Sequence, residues 1–391
     1  MVVGAGLVGL ATAHAMATRW PDVPVTVIDK ELGVARHQSG RNSGVIHSGV
    51  YYPPGSAKAR LCRRGRELLL DFVRTHDITH DLCGKVVVAV EDHERAGLHA
   101  IAERGRANGV DASLVDRAEL GRLEPAVRGV EALHVRDAGI VDFVAVAERL
   151  ATLVRERGGT IRTGETVLGT TERPDGLVVH TTGGDVLADR LVACAGLHSD
   201  RLLEAVSGEA PPVSIVPFRG EYHRLRPEAR QLCRSLIYPV PDPRFPFLGV
   251  HLTRHVSGEV LAGPNAVLAM AREGYTWQDR SLRDLREIAT DPGMRSLAAA
   301  HWRTGVGEMT RSLSRRAFAR ALRRMTPDLR VQDLQPYRSG VRAQALYPDG
   351  SLADDFVMHR VGRTVHVLNA PSPAATASLA IGAEIAERLV D

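Results

Sequence analysis

The opening stretch MVVGAGLVGLATAHAMATRW constrains the fold more than any other. Gly4, Gly6 and Gly9 form G-x-G-x-x-G behind two valines, an Ala-rich helical run follows, and the apolar segment VPVTVIDKE then reaches an acid at Asp29. Each part has a physical reason. Gly4 permits a tight strand-to-helix turn, Gly6 lets the backbone approach a pyrophosphate, and Gly9 allows close helix–strand packing. The helix N-terminus offers unpaired N–H groups and a partial positive charge to phosphate. Asp29 falls about 20 residues after the last glycine, where an acid hydrogen-bonds a ribose hydroxyl. Strand, glycines, helix, strand and acid occur in order, which a chance glycine-rich turn does not produce. Only Val2 and Val3 precede Gly4. A buried parallel strand usually runs about 5–6 residues, so the expectation is a first strand clipped at its start.

The rest of the chain excludes a plain nicotinamide domain. After Asp29 it does not continue with short βα units. It enters a long Gly/Ser/His/Asn segment, KELGVARHQSGRNSGVIHSGVYYPPGSAKARLCRRG, which suits a loop running beside an extended cofactor. GKVVVAVED reads as a strand, DHERAGLHAIAERGRANG as a helix, and DFVAVAERLATLVRERGG as an amphipathic helix. TIRTGETVLGTTE, GLVVHTTGG and DVLADRLVACAGLHSDRLL follow as strand, hairpin and a returning strand that ends at Ala195-Gly196. The C-terminal RTVHVLNAPSPAATASLAIGAEIAERLV reads as strand, turn and helix. Pro371, Ser372 and Ala374 are small enough to let a ligand approach, and the helix start near Ala374–Thr376 faces its dipole toward developing negative charge.

The fold class expected is α/β (α+β overall): a glutathione-reductase-like FAD-binding Rossmann domain interleaved with a mixed-sheet substrate domain. Residues 1–84, 140–210 and 340–391 make the discontinuous FAD-binding domain. Residues 85–139 and 211–339 make the substrate-binding domain. A chain of 391 residues that is 44% hydrophobic has the length for two such units. The net charge of +4 is too weak to argue for nucleic acid. Four cysteines without a C-x-x-C pair support no zinc site, no metal is expected, and a reduced, cytoplasmic setting fits. No run of about 18 uncharged apolar residues is present and no signal peptide precedes the first motif.

The phrases HQSGRNSGVIHSGVYYPPGS, PFRGEY, PFLGVHLTR, GPNAVLA, REGY, GVRAQA and NAPSPAAT fall in order along almost the whole chain. Together they resemble the FAD-dependent L-2-hydroxyglutarate oxidases/dehydrogenases among the D-amino-acid-oxidase-like flavoproteins. That resemblance implies FAD as cofactor and oxidation of (S)-2-hydroxyglutarate to 2-oxoglutarate. It implies hydride transfer from C2 to the flavin N5, with electrons passed to quinone or oxygen. Asp29 departs from the glutamate usual in the family; it makes the same ribose contact with a shorter reach.

A dicarboxylate hydroxy acid requires a proton acceptor and cations. Arg342, in SGVRAQALYPDG, matches the arginine that holds a substrate carboxylate in the amino-acid-oxidase relatives, and its planar fork suits that pairing. Arg219 is a second carboxylate partner or a partner of Glu221. Tyr52 is expected on the substrate side. His47 and His251 are alternative bases, since histidine titrates near neutrality; sequence does not rank them. Ser39, Arg41, Asn42 and Ser43, with Gly196, are expected along the pyrophosphate and flavin edge. Residues 310–325, TRSLSRRAFARALRRM, read as one amphipathic basic helix, either a solvated helix of the substrate domain or a contact with anionic lipid at the inner face of the cell membrane. Two rival functions stay open on the same fold: an amino-acid or amine oxidase, and a non-catalytic flavin-binding redox protein. Oligomeric state is not legible.

Overall fold

The computed structural model describes residues 1–241 and 249–389. Side chains 301–304, 306, 308 and 311 also lie outside the described set, as do Pro246, Phe247 and Leu248 of the PFLGVHLTR phrase.

A six-stranded sheet carries the glycine motif. Its order is Val357–Val361, Thr364–Asn369, Leu191–Ala193, Val2–Val3, Thr26–Asp29, Thr160–Thr163, with all neighbours parallel except the first pair. The two-residue strand Val2–Val3 is central. Alternation assigns its side chains to two cores. Val2, Val27, Val192 and Val365 meet the helices Leu7–Arg19, Ala57–Thr75, Phe143–Glu156 and Ala374–Arg388. Val3, Ile28, Leu191 and Ala193 meet the three-stranded sheet of residues 167–188 and the helix Ser199–Ser207. The result is a three-layer unit built from segments distant in sequence.

The second large sheet has nine strands. It runs Val267–Leu268, Ser214–Leu225, Val260–Gly263, His251–Arg254, Leu236–Pro239, Lys85–Ala89, Glu131–Val135, Ala112–Asp116, and Leu334–Leu346 also pairs with Ser214–Leu225. Val86, Val88, Ile237 and Leu252 pack behind it against Phe318 and Leu322. Val87, Ala89, Leu236 and Tyr238 pack in front against Leu98 and Ile101 of the helix Arg95–Ala107, and against Val45, Val50 and Tyr51.

The basic stretch 310–325 is not one helix. Ser314 ends Pro292–Leu313 and caps Arg315–Arg323 by accepting from the Ala317 N–H. Phe318, Ala319, Leu322 and Met325 are spent on the core behind the nine-stranded sheet, whereas Leu313 is exposed. An apolar face already buried in the protein is not available to lipid. No helix among the described residues is long and apolar enough to cross a membrane.

Candidate active site

A cavity of about 1120 Å³ runs between the two large sheets. It is somewhat larger than the ~300–1,000 Å³ usual for small-ligand clefts. At one end lie Gly4, Gly6, Gly9 and Asp29; at the other lie His47, Tyr222, Tyr238, His251 and Arg342.

The glycine end is shaped by close approach. A Cβ on Gly4, where φ is +105°, would stand 2.4 Å from the Cys194 carbonyl oxygen, and one on Gly9 would stand 1.9 Å from that of Gly4. The Ala5 N–H donates to Asp29 Oδ2 at 2.6 Å and the Glu31 N–H to Oδ1 at 2.8 Å. Ser39 Oγ accepts from the Leu7 N–H at 2.9 Å, so the first helix is capped from the loop. The N–H groups of Gly6, Val8 and Gly9 have no protein partner among the described residues. They form the anion-binding end of the helix. A cradle that excludes side chains and leaves N–H groups unpaired fits the pyrophosphate of FAD.

The loop of residues 41–52 forms the cavity's middle. Asn42 staples it: its amide donates to the Gln38 and Ser39 carbonyls, and its oxygen accepts from the Gly44 N–H. The donors expected to face a flavin are therefore largely used to shape the loop. Ser43 and Tyr222 both line the cavity, and Arg41 stacks 3.9 Å from the Tyr275 ring centroid. Gly196 lines the same wall at φ +53°. Pro371, Ser372 and Ala374 close it from the far end of the chain, at the start of the helix Ala374–Arg388. Thr376 Oγ1 ties the two together, accepting from the His47 N–H at 3.0 Å and donating to the Val45 carbonyl at 3.3 Å.

Both candidate bases reach the cavity. His251 Nδ1 lies 2.9 Å from the Gly249 carbonyl, which fixes the proton on Nδ1 and leaves Nε2 as an acceptor. Its ring stacks on Tyr238 at 3.9 Å. His47 Nε2 lies 3.3 Å from Ser372 Oγ. Burial, with Lys85 nearby, lowers both imidazoles to about 3, so both are neutral. Arg342 lines the cavity and donates to the Asn265 carbonyl at 3.3 Å.

Two expected residues lie elsewhere. Arg219 is fully buried outside the cavity lining, bonded to Glu221 at 3.0 Å and to the Thr276 carbonyl at 2.8 Å, and stacked on Trp277. Tyr52 is also outside the lining.

The sequence reading missed Tyr222, Tyr238, Lys58 and Lys85. Tyr222, Tyr238 and Lys58 line the cavity. The signal for Lys85 is one charge heading the apolar run VVVAV. The carboxylates of Glu31 and Glu273 converge on His37 near Asp29, and the Lys30 ammonium already sits among them, 2.5 Å from Glu31 and 2.6 Å from Glu273.

The chain matches the family model described as DAO, FAD dependent oxidoreductase, over residues 1–388. It is 44% identical over 390 residues to L-2-hydroxyglutarate dehydrogenase from Escherichia coli K12, covering 100% of this chain and 92% of that protein. It is 43% identical over 407 residues to the mitochondrial L-2-hydroxyglutarate dehydrogenase of Homo sapiens, covering 100% and 88%. Among solved structures, L-alpha-glycerophosphate oxidase from Mycoplasma pneumoniae with FAD bound superposes with a TM-score of 0.79 at 22% identity, covering 100% of this chain and 94% of that one. Glycine oxidase from Geobacillus kaustophilus does so at 0.72 and 18%, covering 99% and 94%. At those identities the two structures speak for the fold.

Proposed function

The chain belongs to the DAO family of FAD-dependent oxidoreductases, and on that premise we propose that it oxidises L-2-hydroxyglutarate, the (S) isomer, to 2-oxoglutarate. The observation that carries the reading is 44% identity along the whole chain to a dehydrogenase named for that substrate. Gly4, Gly6, Gly9 and Asp29 would hold the dinucleotide, with Ser39, Arg41, Asn42, Ser43 and Gly196 along its length and Pro371, Ser372 and Ala374 at the ring end. We assign residues 1–84, 140–210 and 340–391 to that binding unit, and 85–139 with 211–339 to the substrate unit. Bound FAD supplies the acceptor for the C2 hydride.

The chain's own residues do the rest. Arg342 pairs with the C1 carboxylate and aims C2, because a guanidinium fork fixes a carboxylate in one plane. The hydroxyl proton goes to a neutral imidazole, at Nε2 of His251 or Nε2 of His47. Burial disfavours the protonated form of both imidazoles, so each keeps a ring lone pair open to the hydroxyl. The other imidazole holds the hydroxyl in line. Electrons leave to an external acceptor, quinone or oxygen; oxygen uptake during turnover without quinone separates the two.

An anaerobic titration with (S)- and (R)-2-hydroxyglutarate tests the reading. The flavin absorbance should bleach with the (S) isomer alone. Bleaching by an amino acid, and by neither hydroxy acid, sinks it.

A further inference from the structure

Lys85 is the least expected charge in the protein. It is 1% exposed and lies in the middle of the nine-stranded sheet, paired opposite Leu236 on one side and Val135 on the other. No carboxylate lies within ion-pair distance of it among the described residues. Its ammonium instead lies 4.3 Å from the Tyr238 ring centroid and 5.3 Å from that of Tyr51. An ammonium taken out of water is strongly disfavoured unless an opposite charge meets it. Two aromatic faces return part of that cost.

Register shows what the charge faces. Leu236 stands beside Lys85, so Tyr238, two residues on, shares its face. Ile237 pairs with Leu252, which sets His251 next to Tyr238 on the same face, and the rings stack. His251 pairs with Gly263, and His223 with Ala262, which brings Tyr222 into the row. Gly220 pairs with Gly340 and Phe218 with Arg342, which ends it. One face of the sheet therefore presents Lys85, Tyr238, His251, Tyr222 and Arg342 in that order. A cation closes each end, and a candidate base stands between them.

We propose that Lys85 determines substrate specificity by supplying the positive charge that selects the second carboxylate of the substrate. This deepens the proposed activity and rests on it. With C1 on Arg342 and the C2 hydroxyl at His251, the far end of a five-carbon diacid extends toward Tyr238, which lines the cavity; Lys85 does not line it, and its ammonium acts from behind that ring, 4.3 Å from the centroid. The diacid's second charge compensates a cation that meets no carboxylate among the described residues; a monocarboxylate does not.

The test compares kcat/KM for (S)-2-hydroxyglutarate and (S)-2-hydroxypentanoate, which carries a methyl group in place of the distal carboxylate. In Lys85→Met holoenzyme the ratio should fall by about 100-fold, the scale for truncating one partner of a desolvated charge pair. An unchanged ratio overturns the proposal, as does an equal loss on both substrates. So does a collapse of the ratio in Lys58→Met, at the cavity rim, with none in Lys85→Met.

A second measurement uses the unaltered enzyme. The titratable groups facing Lys85 are Cys62, Cys83, Tyr51, Tyr238, His47 and His251. Burial raises the two thiols to about 12 and about 11 and both phenols above their ordinary value, and lowers the imidazoles to about 3. Burial lowers Lys85 itself to about 8, so it is charged below that pH and neutral above it. The preference for the diacid should hold at lower pH and decline through pH 8; a ratio level to pH 10 overturns the proposal. If the unaltered enzyme oxidises 2-hydroxypentanoate but not 2-hydroxyglutarate, the activity reading itself fails, and that result is distinct from the others.

Discussion

Arg219 and Lys85 are both buried cations, and one carboxylate separates their circumstances. Glu221 accepts from Arg219 and from the Asn265 amide, and Ser312 bonds it as well. That pair was legible in PFRGEY, because residues two apart on a strand share a face. Arg219 was nonetheless open to a substrate role, since sequence does not say which face of a strand meets a cavity. Glu221→Ala should cost about 3–5 kcal/mol, measured by chemical denaturation, because it leaves Arg219 buried without its counter-charge. Lys85 was not legible as a site residue. Its meaning depends on which strands flank Lys85–Ala89, and those neighbours are Leu236–Pro239 and Glu131–Val135. Nothing local to GKVVVAV announces them.

At the scale of elements, local pattern carried the glycine motif, the helix Phe143–Glu156 and the final strand–turn–helix, because each is decided within a few residues of itself. It failed where a serine intervenes. Residues 310–325 keep helical periodicity across Ser314, yet its hydroxyl caps a new helix there, and a single polar side chain outweighs the repeat. The loop of residues 41–52 shows the opposite case. Its polarity suggested ligand contacts, but Asn42 shapes the loop from within and Thr376 pins it from outside. Thr376→Val keeps the volume and removes both links to the loop. We expect a loss of about 1–3 kcal/mol, the cost of leaving the part-buried His47 N–H unsatisfied. A drop in kcat greater than any rise in KM should accompany it, measured on flavin-loaded protein.

Over the whole molecule, buried imidazoles couple stability to pH. His47 and His251 are lowered to about 3 and His366 to about 4, in each case chiefly by burial. An unfolded histidine titrates near ~6.5. Between those values the unfolded chain binds more protons than the folded one, so stability is fully present above about pH 6.5 and is lost as the pH falls toward 4. Each histidine contributes a slope of about 1.4 kcal/mol per pH unit in that window. Denaturant midpoints should therefore decline steeply from pH 6.5 to 4, and replacing His366 with Leu should flatten the slope. The global arrangement was accessible from the order of segments, because strands separated by helices imply parallel pairing. The partnership of sheet faces across the cavity was not, since it is a product of register.

The bond between His47 and Thr376 spans 329 residues of chain. At the ~5–20 residues per second of synthesis, roughly 15–65 s pass between the emergence of its two ends. The ribosome therefore releases the histidine loop long before the helix that anchors it exists. A nascent chain stalled before Ala374 would carry the whole glycine motif and both imidazoles, yet lack the clasp that brings one of them into place. Cofactor retention during translation should begin only with the last helix.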